Sequence, residues 1–481
     1  MTMDTVTRVT PRRTDELTGR ATSTVQKDQA RVLEFQLPAA PFTDGLVSLT
    51  ATSFPLACAP PQSWGERGAR DHFKRTQNYY SLHRFTGRPL GRSGAPTSLG
   101  VVRSWDGIQN ITDLNHGLWY GVNVTFGTQE LTLVLDTGSS DTWAFSTATQ
   151  CVETTGGDEE SAGGRDDFCV FGPPSEGDFP LGTFEHLHFS TDYWGNQTVN
   201  GALGLMDVTV GGLRVTNQTV GLATNATRWL GRGPSSGVLG LAYPGLTKAF
   251  TDSGIRADPI LYPPVISNMI EEGIMQGGFS LALNRPGSGE NGGVIAFGGV
   301  PDDVPGVDWN MTIQTDIIIA IVDDEPALPP DYSFYTIISD GWQFKDAILD
   351  DRKIAYNIDS GTPFNCPKDL HSNTHADTAN YIADAYIPPA KYNATYGVYF
   401  VDCDAIAPDV AVDINGMPFW LNPEGLVVGR LTASQDQSCF AAFTDCGWTG
   451  PYVLGNSFLQ NVLAIFDVED RVIEFVSRTY Y

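Results

Sequence analysis

The sequence predicts an all-β chain built as two related halves, on three observations. Its 481 residues exceed what one hydrophobic core usually organises, so at least two lobes are expected. Its 51 glycines and 30 prolines favour short strands joined by turns over helices. A pair of short motifs also occurs twice in the same order: LVLDTGSS (133–140) precedes GVLGLAY (237–243), and NIDSGT (357–362) precedes PYVLGNSFL (451–459). About 100 residues separate the partners in each half, which is the mark of an internal duplication. Coincidence within a Gly-rich β chain explains the four together poorly.

From about residue 117 the chain runs in short apolar-alternating stretches broken by Gly, Asn, Asp and Pro. LWYGVNVTF (118–126), LTLVLDTG (131–138) and ALGLMDVTVGGLRV (202–215) read as strands and hairpins. No helical pattern long enough for βαβ units separates them. Helical promise is confined to Pro264–Gly273 and the stretch Lys368–Tyr386. A Gly-rich loop, 286–293, joins FSLAL to VIAFGGV, and the stretch 316–335 opens a second β-rich half. The chain therefore divides into a leader (1–103), an N-terminal lobe (104–303) and a C-terminal lobe (304–481).

The net charge of −27 is unevenly placed. Residues 1–103 carry 14 Lys+Arg against 8 Asp+Glu, a net of +6, which leaves −33 on the remainder. A body this acidic argues against nucleic acid and anionic membranes as partners. No stretch reaches the run of about 18 apolar residues that a membrane helix needs. A basic leader before an acidic body suggests an inhibitory prosegment; a disordered basic tail is the alternative.

Seven cysteines are present: Cys58 in the leader, then Cys151, Cys169, Cys366, Cys403, Cys439 and Cys446. None shows C-x-x-C spacing, which argues against a zinc site, and no cofactor is expected. Sequons stand at Asn110, Asn123, Asn196, Asn217, Asn225, Asn310 and Asn393, where chance would give about three. Cysteines and sequons point to the secretory pathway or a vacuole. Against this, residues 1–30 contain no apolar signal-peptide core.

In LVLDTGSSDTW an apolar strand carries Asp136 to a sheet end, where Thr137, Gly138 and Ser139 turn the chain and offer hydroxyls to the carboxylate. Asp359 repeats this with Ser360, Gly361 and Thr362. If the halves are related by a pseudo-twofold, the two turns meet and the carboxyls come within hydrogen-bond reach. Like charges that close do not both ionise readily, so the pair titrates as a unit. Two carboxyls sharing a proton are a known general acid/base device. One Asp-(Ser/Thr)-Gly alone is ordinary turn chemistry; two, each behind an apolar strand and each followed by Val-Leu-Gly, are far more specific.

From about residue 117 to Phe475 the chain resembles the pepsin family of aspartic endopeptidases, through LVLDTGSSDTWAF, GVLGLAYPG, FSLALNRPGSGENGGVIAFGGV, YNIDSGT, DINGMPFWLNPEG and VLGNSFLQNVLAIFDVEDRVIEF. The resemblance implies a bilobal β fold with pseudo-twofold-related lobes and a central cleft, cutting polypeptide substrates at acid pH as a monomer. It implies that Asp136 and Asp359 are the catalytic pair. Ser139 and Thr362 would bond their outer oxygens, Gly138 and Gly361 would line the water site, and Thr137 and Ser360 would bond across the twofold. Trp143 would support the tyrosine of a substrate-covering flap.

In the flap the chain departs from the family pattern of Tyr-Gly followed six residues later by Gly. In DYWGNQTVNG (192–201) a gapless match puts Trp194 before Gly195 in the tyrosine's place, which would lose the hydroxyl that bonds Trp143. Tyr193 would need a one-residue slip to serve. Near the second aspartate Asn357 replaces an apolar residue and Pro363 follows Thr362. The resemblance implies bridges Cys151–Cys169 and Cys403–Cys439, and Cys366–Cys446 remain as the third pair. The resemblance also implies that a basic leader side chain, with Lys74 and Arg75 among the candidates, would reach the aspartates at neutral pH. The main rival is a pepsin-fold protein that binds without cutting, for which only the altered flap speaks. A glycosidase leaves the paired turns unexplained. GPSSG (233–237) leads into the apolar run VLGLAY and reads as a turn rather than a serine-hydrolase elbow.

Overall fold

In the aspartate strand, Gln129–Asp136, an exposed start gives way to four consecutive buried residues, so the strand runs from the sheet's rim into protein on both faces. It pairs antiparallel with Tyr120–Phe126 through a turn at Gly127, whose φ of 68° suits glycine. The computed structural model of the chain describes residues 101–102, 107–152, 171–193, 197–227, 235–251, 259–287, 291–319, 331–345, 347–367, 377–394, 397–429, 438–446 and 452–479. The leader, apart from the strand Val101–Val102, falls outside the described residues, as do Cys58 and Cys169.

A 14-stranded sheet dominates. Its order begins Ala249–Thr251, Thr183–Tyr193, Gln197–Val210, Leu213–Thr227, Thr142–Val152, Gly237–Gly240, Gln129–Asp136, Tyr120–Phe126 and Ile108–Asp113. It continues through Asn291–Phe297, Gly278–Leu283, Val462–Asp467, Val472–Arg478 and Val307–Asp316. Strands from both halves of the chain thus share one sheet, with Phe279 opposite Phe466 and their rings stacked at 4.6 Å. Three smaller sheets complete the second half. The protein is bilobal and all-β.

The long hairpin Gln197–Val210 and Leu213–Thr227 turns on Gly211 and Gly212, whose φ values of 57° and 77° fit a tight hairpin that matches the strand twist. The stretch read as one unit, 202–215, is this turn with its flanks. The helix expected within Pro264–Gly273 is Val265–Glu271, starting after Pro264 and burying Val265, Ile266 and Met269. In the second helical stretch, Asp377–Asp384 is helical; residues 368–376 lie outside the described residues. A strand runs over Val307–Asp316, just ahead of the stretch 316–335, of which residues 320–330 lie outside the described residues. After GPSSG comes the strand Gly237–Gly240, not a helix.

The principal core spans both halves, joining Leu135, Leu239 and Leu241 to Ile358, Leu454 and Phe466. A second cluster, around Trp143, Phe189 and Val199, lies beneath the hairpin that begins with Thr183–Tyr193. Among the described residues two disulfides, Cys366–Cys446 and Cys403–Cys439, close loops with separations of 80 and 36 residues. In the chain-entropy picture each contributes about 4 kcal/mol by restricting the unfolded chain.

Close backbone approach makes one glycine decisive. A Cβ on Gly455 would lie 2.3 Å from Phe364 O and 2.4 Å from Thr362 O, whereas one on Gly177 would meet nothing within 4 Å. Gly455→Ala is expected to cost about 2 kcal/mol or more through overpacking. Gly177→Ala should stay within about 0.5 kcal/mol. Urea unfolding of the two variants checks the contrast.

Candidate active site

Each Asp-(Thr/Ser)-Gly turn is held by the Val-Leu-Gly of its own half. In the first, Gln129–Asp136 pairs parallel with Gly237–Gly240, setting Leu135 opposite Leu239 and Asp136 opposite Gly240. In the second, Ile354–Ile358 pairs parallel with Val453–Leu454, setting Ile358 opposite Leu454, and Asp359 N donates to Leu454 O at 3.1 Å. The duplication read in the sequence is therefore one local structure built twice. Asn357, where an apolar residue was expected, is buried and accepts a hydrogen bond from Thr336 Oγ1 at 2.6 Å.

The two turns grip each other. Thr137 N donates to Ser360 Oγ (3.0 Å), and Ser360 N donates to Thr137 Oγ1 (2.9 Å). Thr137 Oγ1 in turn donates to Ile358 O and Ser360 Oγ to Leu135 O, each at 2.8 Å. Both residues are fully buried, and each hydroxyl uses its donor and one acceptor site.

The grip brings the carboxyls together. A Cβ on Gly138 would lie 2.4–2.6 Å from the carboxyl atoms of Asp359, and one on Gly361 would lie 2.2–2.9 Å from those of Asp136. Each carboxyl is oriented by its own turn. Asp136 accepts from Gly138 N (2.8 Å) and Ser139 Oγ (2.5 Å), and Asp359 from Gly361 N (2.7 Å) and Thr362 Oγ1 (2.6 Å). Burial, then the neighbouring Asp136 carboxyl, push Asp359 up to about 7, against the lowering pull of Thr362 and Gly361. Such a pair retains one proton across the acid range.

The tyrosine position in the hairpin corrects the gapless match. Trp143 Nε1 donates to Tyr193 Oη at 2.7 Å, so the hydroxyl expected to be lost is present. Strand periodicity is the cause: Phe189 and Thr191 are buried, Asp192 is exposed, and Tyr193 falls on the face that packs against Trp143. Tyr193 is the last residue of its strand and pairs with Gln197 across the hairpin. Trp194 and Gly195 lie between, outside the described residues. The Cys151–Cys169 pair also lies outside what the structure describes.

Asp141, two residues past Ser139, was not singled out by sequence reasoning. It is 2% exposed, and its Oδ1 accepts from the Tyr262 hydroxyl and from Lys248 N. Burial pushes this carboxyl up to about 6, against the opposing pull of Tyr262 and Lys248. Its place beside the motif was visible in the sequence; a partner 121 residues away was not. Among the described residues no cluster of His, Cys, Asp and Glu is arranged to hold a metal, and no helix is long and apolar enough to cross a membrane.

A buried carboxyl, Asp136, and a half-buried one, Asp359, on twin turns between β lobes define an aspartic-peptidase type of site. The family model described as eukaryotic aspartyl protease matches residues 119–477, and the chain belongs to that family. It is 33% identical over 385 residues to a probable aspartic-type endopeptidase of Aspergillus fumigatus, covering 78% of this chain and 82% of the relative. It is 26% identical to pepsin A of Canis lupus familiaris (76% and 82% covered) and 27% identical to rhizopuspepsin-4 of Rhizopus niveus (74% and 77%). The crystal structure of the aspartic proteinase from Irpex lacteus superposes with a TM-score of 0.55 at 17% identity, over 78% of this chain and 98% of that one. The protein is an aspartic endopeptidase, a hydrolase of peptide bonds, and the binding-only alternative is not favoured.

Asp359 and Asp141 both hold protons more tightly folded than unfolded, where the ordinary value is 3.8. The stability they contribute is full below pH 3.8 and is lost as pH rises through about 6 for Asp141 and about 7 for Asp359. Asp207, beside Arg214, and Asp340, whose burial is outweighed by Lys353, are shifted the other way, but solvent discounts these surface groups. Urea midpoints should therefore fall between pH 4 and pH 7.5. Asp141→Asn should narrow the fall by about 3 kcal/mol at most. A midpoint that rises over this range would refute the assignment.

Proposed function

We propose that Asp136 and Asp359 are the catalytic carboxylates of this endopeptidase and activate water at acid pH. The observation that carries this reading is the mutual seating of the carboxyls, each against the glycine of the other's turn. Burial, which raises Asp359, favours it as the proton holder. Asp136 then takes a proton from water as general base, while the Asp359 proton polarises the scissile carbonyl. Water oxygen bonds to the carbonyl carbon; as the tetrahedral species collapses, the C–N bond breaks and Asp136 returns its proton to the leaving amine. No covalent enzyme intermediate forms. Thr137 and Ser360 lock the turns, Ser139 and Thr362 orient the outer carboxyl oxygens, and the hairpin bearing Tyr193 covers the substrate with Trp143 behind it.

Residues 104–303 and 304–481 serve as the two catalytic lobes, with the boundary in the connection between the strands Val300–Pro301 and Val307–Asp316. The basic leader, 1–103, acts as an inhibitory prosegment whose attraction to the acidic body weakens as carboxylates protonate. Secretory or vacuolar residence and N-glycosylation are supported by the two disulfides and the placement of the sequons. Asn110, Asn123, Asn217 and Asn310 are exposed, and Asn225 and Asn393 half-buried.

Cleavage of an unfolded protein at pH about 3–4 by the acid-treated chain tests the reading. Asp136→Asn and Asp359→Asn should each lower kcat/KM by about 10³-fold. Full activity in either variant would sink the assignment. Processing that left residues 1–100 intact and bound at this pH would remove the prosegment role. Tyr193→Phe, which keeps the ring but loses the bond to Trp143, should lower kcat/KM by about tenfold.

A further inference from the structure

We propose that Asp141 is a positioning residue that fixes the flap strand, Thr183–Tyr193, relative to the catalytic turn. The inference rests on the function proposed above and assigns a role to a carboxyl that the reaction itself does not use. By its main chain Asp141 belongs to the catalytic turn. Its carbonyl accepts from Gly240 N at 3.1 Å, and Ser139 O, two residues before, accepts from Ala242 N at 2.9 Å.

By its side chain Asp141 belongs to the flap's foundations. The Oδ1 atom receives two donors from 107 and 121 residues further along the chain, Lys248 N at 3.1 Å and the Tyr262 hydroxyl. The first leads directly to the flap. Lys248 O accepts from Ser190 N at 3.2 Å, and Ala249–Thr251 then pairs with the flap strand, Ala249 opposite Phe189 and Thr251 opposite Leu187. The second leads there through packing. Tyr262 is buried in the cluster of Trp143, Phe189 and Val199, against which Tyr193 packs. Tyr262 N is also held by Thr247 Oγ1, at 3.2 Å, so the two tethers brace each other.

An apolar side chain would fill this space without the desolvation cost of a buried carboxyl. What the carboxyl adds is one fixed oxygen on which two tethers converge, five residues after Asp136. The bonds that orient Asp136, from Gly138 N and Ser139 Oγ, do not pass through Asp141. Loss of the tethers should therefore displace the flap and leave the aspartates in place. Flap contacts hold substrate in the ground state and the transition state alike, so the loss should appear in KM rather than kcat.

The test is steady-state peptide hydrolysis by the acid-treated full chain and four variants. Tyr262→Phe and Asp141→Ala should raise KM by about tenfold with kcat within about twofold. Asp141→Asn, which keeps the accepting oxygen, should restore KM relative to Asp141→Ala. Tyr262→Phe removes a single hydroxyl and carries the test should Asp141→Ala fail to fold. An unchanged KM in Tyr262→Phe, even with a lowered Tm, overturns the inference. A fall in kcat at constant KM also overturns it, because the effect would then lie on the aspartates. Asp136→Asn, run beside them, separates the two readings. If it is fully active, or the parent inactive, the catalytic assignment itself fails.

Discussion

The reciprocal hydrogen bonds between Thr137 and Ser360 are the constraint on which the rest of the site depends. Each hydroxyl accepts from the other turn's backbone N–H and donates to the carbonyl that precedes the other aspartate. Two bonds between these fully buried residues, and one from each hydroxyl to the carbonyl before the other aspartate, leave the turns no freedom to slide, because any displacement strands polar groups away from water. The carboxyls are carried into contact as a consequence. Gly138 and Gly361 follow from the same constraint, since a side chain at either would occupy the space of the opposing carboxyl.

That closeness has an electrostatic cost and a chemical use. Burial and the neighbouring carboxyl raise Asp359 far above an ordinary aspartate, which keeps a proton at the site through the acid range. Asp141 is raised in the same direction by burial alone. Raising the pH adds charge to an acidic body and forces ionisation of carboxyls that desolvation disfavours.

The flap shows how strand geometry overrules linear spacing. Counting residues between glycines places Trp194 over the site, but a strand presents alternate residues to one face. Phe189, Thr191 and Tyr193 therefore share the face that meets Trp143, and the tyrosine hydroxyl accepts the indole N–H. The alternation of Phe, Thr and Tyr was present in the sequence, and its period was the better guide than the distance to Gly201. Asp141 makes the complementary point: its partners come from the chain 107 and 121 residues on, and no local pattern announces them.

The all-β class, the duplication and the residue types of the two Asp-(Thr/Ser)-Gly turns were legible in the sequence alone. These rest on local rules, namely period-2 burial, glycine at tight turns and hydroxyls within reach of their own carboxyl. Cys403–Cys439 was legible through family resemblance, and Cys366–Cys446 as the pair that remained. Tertiary structure was needed to show which aromatic residue meets Trp143 and that Asn357 is satisfied by Thr336. It alone revealed Asp141 as the junction of turn and flap. Those outcomes depend on pairings between segments distant in the chain, and long-range register is set by the packing of both partners, which neither segment encodes alone.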